Sequence, residues 1–213
     1  MNLELEDRHI FFLCLVGFMS LTILVVSNNL TEIDKQIQSS IFEYSQGPLF
    51  EFMKYFTYIG DVAIVLPATG IIMYYFYRQK DKLVSFYYGS MVVSSIISSL
   101  AIKYLVERLR PNPGLSPPAF HPVYSYPSGH TVRVFVLLIG FYVFYSIFYK
   151  RQHNNLLLLS CIVVPIVVGI SRIILGLHYL TDIIGSILLG GSIIIFFKIL
   201  INRNYNRLTR VKQ

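Results

Sequence analysis

Charge is scarce in this chain: only 14% of its 213 residues are Asp, Glu, Lys or Arg, while 54% are hydrophobic and the mean hydropathy is +0.59. A domain dissolved in water needs a more charged surface than that, so an ordinary soluble fold is excluded. Cysteine is scarcer still. Cys14 and Cys161 both fall inside apolar runs, where a free thiol behaves as a small hydrophobe; they say nothing about redox compartment and offer no metal site. Acidic residues are outnumbered 11 to 18 by basic ones, for a net charge of +7. No soluble module with a basic face accompanies that excess, which argues against a nucleic-acid partner. Internal repeats and low-complexity tracts are absent.

What the chain does have is apolar runs of the length that crosses about 30 Å of hydrocarbon as helix. Six are readable: Ile10 to Ser27, a short second from Val62 to Tyr77, Leu83 to Leu105, Thr131 to Tyr149, Leu156 to Leu175 and Leu180 to Ile201. The expected fold is an all-α integral membrane bundle of six transmembrane helices, one domain over residues 1–213, with 202–213 as a tail. Glu4, Glu6 and Asp7 precede the first run where a signal peptide would carry basic residues, and no small-residue cleavage site follows, so that run reads as a retained helix. Lys and Arg cluster at Arg78, Lys80 and Lys82, at Lys150 and Arg151, and in the tail at Lys198, Arg203, Arg207, Arg210 and Lys212. Six spans put all three clusters and the N-terminus on one side, which is then cytoplasmic.

Two segments lie on the other side. Asn28 to Gly60 is too polar to cross and holds Phe50, Phe52, Tyr55, Phe56 and Tyr58, the composition of an amphipathic stretch lying in the interface. Arg110 to Pro127 contains six of the nine prolines, Pro111, Pro113, Pro117, Pro118, Pro122 and Pro127, which forbid regular helix. The last outer link, around Gly176, Leu177 and His178, is short and puts His178 at the membrane surface.

The ionisable residues inside the runs are Lys103, Arg133, Arg172 and Asp182, and all four map to the outer boundary. Such groups are costly in a span, by at least about 2.5 kcal/mol near the centre, unless they pair or line a wet cavity. One shared polar layer accounts for them more simply than four separate snorkelling side chains. Lys103 and Arg110 are seven residues apart, about 10 Å of rise on one helix face, a spacing that suits a multiply charged anion. Pro127-Ser128-Gly129-His130 sits where the fourth span begins: Ser128 is a good N-cap, Gly129 lets an oxyanion approach the backbone, and His130 is placed to donate a proton. Ser171-Arg172 is followed by His178 and, four residues on, Asp182, so the carboxylate can hold Nδ1–H of the imidazole and leave Nε2 free to attack.

Taken together, Lys103-x6-Arg110-Pro111, Pro127-Ser128-Gly129-His130 and Ser171-Arg172-x5-His178-x3-Asp182 resemble the complete three-part signature of the type 2 phosphatidic acid phosphatase superfamily. The resemblance implies that His178 is the nucleophile, Asp182 its orienting partner and His130 the general acid and later the base. It assigns Lys103, Arg110, Arg172, Ser128 and the Gly129 amide to the phosphoryl oxygens. Three side-chain cations then do what a metal ion does elsewhere, so no metal and no cofactor is expected. Two histidines in opposite roles imply a bell-shaped rate profile.

The implied substrate is a membrane lipid with a phosphate headgroup: an isoprenyl (undecaprenyl) pyrophosphate or phosphatidylglycerophosphate foremost, with lipid A phosphates and phosphatidic acid as alternatives within the family. The chain's small size resembles bacterial members, with the site on the periplasmic or extracellular face. Arg133 is unusual at its place and is read as a contact to a second phosphate or a sugar headgroup, while Arg108 and His121 read equally well as solvated loop residues. Soluble relatives with the same constellation, the vanadate haloperoxidases and acid phosphatases, are excluded by the six spans. A rival without catalysis is an anionic-lipid binding or transport protein, which would carry polar residues near the midplane; only Pro67 and Pro165 stand there, with no charge beside them.

Overall fold

The computed structural model describes residues 2–42, 46–112, 123–149 and 155–210. Helix α1 (Asn2–Val26) is followed by α2 (Thr31–Phe42), α3 (Pro48–Phe56), a 3₁₀ turn (Thr57–Gly60), α4 (Val62–Arg78), α5 (Lys82–Val106), α6 (Gly129–Tyr149), α7 (Asn155–Ile174) and α8 (Leu180–Arg210). Five helices, α1, α5, α6, α7 and α8, are each long and apolar enough to cross a membrane. The stretch Pro48–Gly60 with Val62–Arg78, bent by 50° at the break, is long and apolar enough to count as a sixth when the two parts are taken as one span. The expected short second span, Val62 to Tyr77, is helix α4.

Local chemistry explains the boundaries. Asp61 caps α4 by accepting from the Ala63 amide at 2.9 Å, and Asp81 caps α5 through the Val84 amide at 3.1 Å. Helix α5 stops because Glu107 turns left-handed, φ 51°, and closes the last turn onto the Lys103 carbonyl. Two ends run further than hydropathy predicts. Helix α1 begins at Asn2 because Asp7 pairs with Lys198 of α8 at 2.6 Å, and α8 continues through the expected tail to Arg210.

Helix α6 is the hub, packed against α4, α5, α7 and α8, while α1 lies along α8. Small residues set these approaches. A Cβ on Gly140 would stand 2.2 Å from the Met91 methyl, and one on Gly190 2.7 Å from the Phe135 ring, so these glycines make the room in which side chains of α5 and α6 pack. Outward positions are bare hydrocarbon, such as Leu13, Ile71 and Leu105, as lipid-facing residues should be.

The bundle has two chemically different ends. At one, the Tyr205 hydroxyl donates to Asp81 at 3.0 Å and Asn204 meets Tyr87, which puts the far end of α8 beside the α4–α5 turn with Arg78, Lys80 and Lys82. At the other end lie α2, α3, the 3₁₀ turn and both ends of the proline-rich loop. Leu109 and Tyr124 form an antiparallel bridge and the Ser125 amide donates to Arg108 O at 2.7 Å, closing that loop at its base. Of the expected features, Pro113, Pro117, Pro118, His121, Pro122, Lys150, Arg151 and Lys212 lie outside the described residues.

Candidate active site

A cavity of about 310 Å³ opens at this second end. Its wall is built by Lys103 from α5, Arg110 from the loop, Gly129, His130 and Arg133 from the first turns of α6, Arg172 from α7, His178 from the α7–α8 link, and Asp61. The remaining wall is Val62, Ile96 and Leu100, with Ser99 among them. Lys103, Arg110, His130, Arg133, Arg172, His178 and Asp182 are each no more than 9% exposed, which rules out snorkelling as the reason for their placement.

One expectation is corrected in its reasoning. Lys103 and Arg110 do not share a helix face, because α5 ends at Val106; they reach the same cavity from helix and loop. Lys103 is aimed by two loop carbonyls, donating to Tyr124 O at 3.0 Å and Ser125 O at 2.8 Å. That segment is itself anchored by buried Tyr126, stacked on Phe18 with centroids 6.0 Å apart and bonded to Thr22 at 2.9 Å.

Leu180 opens α8, so His178 lies just before the helix and is held by its backbone: its amide donates to Arg172 O at 3.2 Å, after Gly176 at φ 65° has reversed the chain. The expected pairing is formed, with Nδ1 of His178 3.2 Å from Oδ2 of Asp182. Burial first, then the charges of Lys103, Arg172 and Arg110, push the His178 imidazolium well below its ordinary 6.5, and a backbone hydrogen bond to Ser125 opposes them only in part. His178 is therefore neutral at neutral pH, the form that has a lone pair to give.

Gly129 and His130 face the cavity, while Ser128 lies behind them, fully buried. Its amide donates to Asp182 O at 3.3 Å, its hydroxyl accepts from Thr131, and its carbonyl accepts from Ser186, so it joins α6 to α8. Arg172 is fixed at one nitrogen, which donates to Thr57 Oγ1 at 3.1 Å, and its buried Nε has no hydrogen-bond partner. A buried guanidinium N–H without an acceptor is costly, and an anion is the chemical species that would satisfy it.

Arg133 is not a free headgroup reader. Its Nε donates to Gly60 O at 2.9 Å and its Nη2 lies 3.2 Å from Nδ1 of His130. A guanidinium carries only donors, so this contact is a hydrogen bond when His130 is neutral, with Nδ1 accepting and the ring proton on Nε2. The 3₁₀ turn thus supports the site twice, through Thr57 and Gly60. A Cβ on Gly60 would lie 2.7 Å from His130 Cβ and 3.0 Å from its Cα. Gly60→Ala is expected to displace His130, lowering turnover at least about tenfold and stability by about 1–3 kcal/mol. Steady-state rates and a thermal melt in detergent check this; wild-type turnover would show that the turn does not set His130.

Arg108 is the residue that sequence reasoning undervalued. It is mostly buried and bridges two carboxylates, donating to Asp182 Oδ1 at 2.7 Å and Asp34 Oδ2 at 2.6 Å. Burial works against its charge, but Asp182 and Asp34 outweigh that and raise its pKa. Asp34, on α2, is one polar residue in an amphipathic stretch, and no local pattern in the sequence marks it.

Fold and site together define a membrane-embedded phosphatase. Residues 84–206 match the model of the PAP2 superfamily, and the chain belongs to that family as a lipid phosphatase. It is 25% identical over 185 residues to phosphatidylglycerophosphatase B of Bacillus subtilis (strain 168), a match covering 84% of this chain and 88% of that protein. The crystal structure of a transmembrane PAP2-type phosphatidylglycerolphosphate phosphatase from Bacillus subtilis shares its fold, with a TM-score of 0.78 at 24% identity over 88% of this chain and 94% of that one.

Proposed function

We propose that this enzyme hydrolyses the phosphate monoester of phosphatidylglycerophosphate through a phosphohistidine, without a metal ion, on the non-cytoplasmic face of the membrane. The observation that carries the reading is a buried, carboxylate-held His178 lining one cavity with Lys103, Arg110 and Arg172 beside apolar Val62, Ile96 and Leu100. Lys103, Arg110 and Arg172 neutralise the phosphoryl oxygens, with the Gly129 amide at the helix start. His178 attacks phosphorus through Nε2 as the bond to the glycerol oxygen breaks, and His130 gives its proton to that oxygen. Water then attacks the phosphohistidine, returns a proton to His130, and leaves inorganic phosphate and free His178. Asp182 steadies the positive charge on the imidazole in between.

Val62, Ile96 and Leu100 place hydrocarbon beside the cations, which suits a substrate whose chains stay in the bilayer. The side is read from Arg78, Lys80, Lys82, Lys198 and Arg203, which gather at the end opposite the cavity. A second substrate is favoured by charge: Lys103, Arg110 and Arg172 line the cavity with Asp61 as the one carboxylate in its described wall, an excess that also suits an isoprenyl pyrophosphate.

Among the described residues no group of three or more His, Cys, Asp and Glu side chains could hold a metal ion. Phosphate release by purified enzyme is therefore expected to change by less than about twofold in excess EDTA, cations already supplying the neutralisation. Phosphatidylglycerophosphate should be the fastest of a panel with undecaprenyl pyrophosphate, phosphatidic acid and a lipid A phosphate. Activity lost in EDTA and restored by Mg²⁺ would refute the metal-free mechanism, and a different leader in the panel would reassign the substrate.

A further inference from the structure

The carboxylate of Asp182 has two sides. Oδ2 faces Nδ1 of His178 at 3.2 Å and accepts from the Tyr179 amide at 2.9 Å, while Oδ1 accepts from Arg108 at 2.7 Å. Arg108 is held in turn. Its other terminal nitrogen donates to Asp34 at 2.6 Å, its first also reaches Thr181 Oγ1 at 2.7 Å, and its guanidinium stacks 4.2 Å over the Tyr179 ring. Asp34 closes the ring by accepting from both the amide and the hydroxyl of Thr181. Asp34 and Asp182 are fully buried side chains, so neither carboxylate has water to fall back on.

Resting on the nucleophilic role of His178, we propose that Arg108, braced by Asp34 of the interfacial helix α2, is a positioning residue that sets the orientation of the Asp182–His178 pair. The geometry excludes direct work on phosphate, since Arg108 is not part of the cavity wall and lines a separate hollow with Val25, Asn28 and Tyr179. Without it, Oδ1 is a buried carboxylate oxygen with no donor. Rotation of the carboxylate to find another then takes Oδ2 away from Nδ1. A lysine does not substitute, because one ammonium lacks the planar fork that spans both carboxylates. Helix α2 is otherwise tethered by Gln38, whose Nε2 donates to Ile173 O at 3.0 Å, so the docking of a surface helix becomes a determinant of turnover.

The test uses the full chain in detergent, with kcat and KM for phosphatidylglycerophosphate and a thermal melt for each variant. Arg108→Ala is expected to lower kcat about 100-fold and leave KM within about twofold, the signature of a misplaced nucleophile rather than lost binding. Guanidinium chloride at tens of millimolar should restore part of that rate in Arg108→Ala and nothing in wild type or His178→Ala. Asp34→Asn should lower kcat about tenfold, and adding it to Arg108→Ala should cost less than about twofold more, because the two act as one unit.

A folded Arg108→Ala with kcat near wild type, a rise in KM alone, or fully additive losses would overturn the proposal. If Arg108→Ala does not fold, Asp34→Asn decides, and unchanged kcat there overturns it equally. Retained activity in His178→Ala would instead remove the nucleophile reading, an outcome separate from these.

Discussion

Replacing His178 with alanine is expected to abolish phosphate release, by at least about 10⁴-fold, because the group that forms the covalent intermediate is gone and the cation cluster alone does not break the ester. The acid-labile phosphohistidine trapped from wild type should vanish with it. The fold should survive, since His178 lies in a link and its helix-joining contact is made by its backbone amide to Arg172 O, which alanine keeps. Acid alone should not reproduce this loss near neutrality. Burial and three cations hold the His178 imidazolium well below 6.5, so the neutral nucleophile persists as pH falls through that value. The acid limb of kcat attributable to His178 should therefore lie below pH 6.5. Turnover of His178→Ala above about one part in a hundred of wild type, or a trapped phosphoenzyme in that variant, would sink the covalent mechanism.

Arg172→Ala carries the next largest loss expected, about 10³-fold in kcat/KM, because a fully desolvated donor set opposite the developing charge is worth about 2.7–4 kcal/mol. Its side chain is buried at 4% exposure, with Nη1 donating to Thr57 and the buried Nε left without an acceptor. Arg172→Lys should recover only part of the rate, because one ammonium cannot both hold Thr57 and present a second donor to phosphate. Vanadate inhibition gives an independent reading: its inhibition constant should rise with the loss in kcat/KM if Arg172 stabilises the transition state. A variant with normal kcat/KM would mean that the guanidinium serves only to pin the 3₁₀ turn to α7.

Much of this protein is legible one segment at a time. Hydropathy placed the cores of all the long helices, because in lipid every backbone polar group must be satisfied within its own segment and the apolar run is the helix. His178 and Asp182 are four residues apart, so their contact is nearly a local property of the chain. The helix ends were less legible where a distant partner decides them, as Lys198 does for the start of α1. The Lys103–Arg110 spacing led to the right neighbours by a wrong route, since Glu107 in the left-handed region was not foreseen.

The sequence by itself determined the solvent, the order of the long helices, the family signature and the collection of cations and histidines at one boundary, because composition and short spacings encode these directly. Only the tertiary structure decided what Arg108, Arg133, Asp34, Thr57 and Gly60 do. Arg108 meets Asp34 across 74 residues and Arg133 meets Gly60 across 73. An isolated arginine looks the same in sequence whether it is solvated or clamped between two buried carboxylates. What distinguishes the two is the exclusion of water when α2 and α8 close around it, and that belongs to the packed bundle alone.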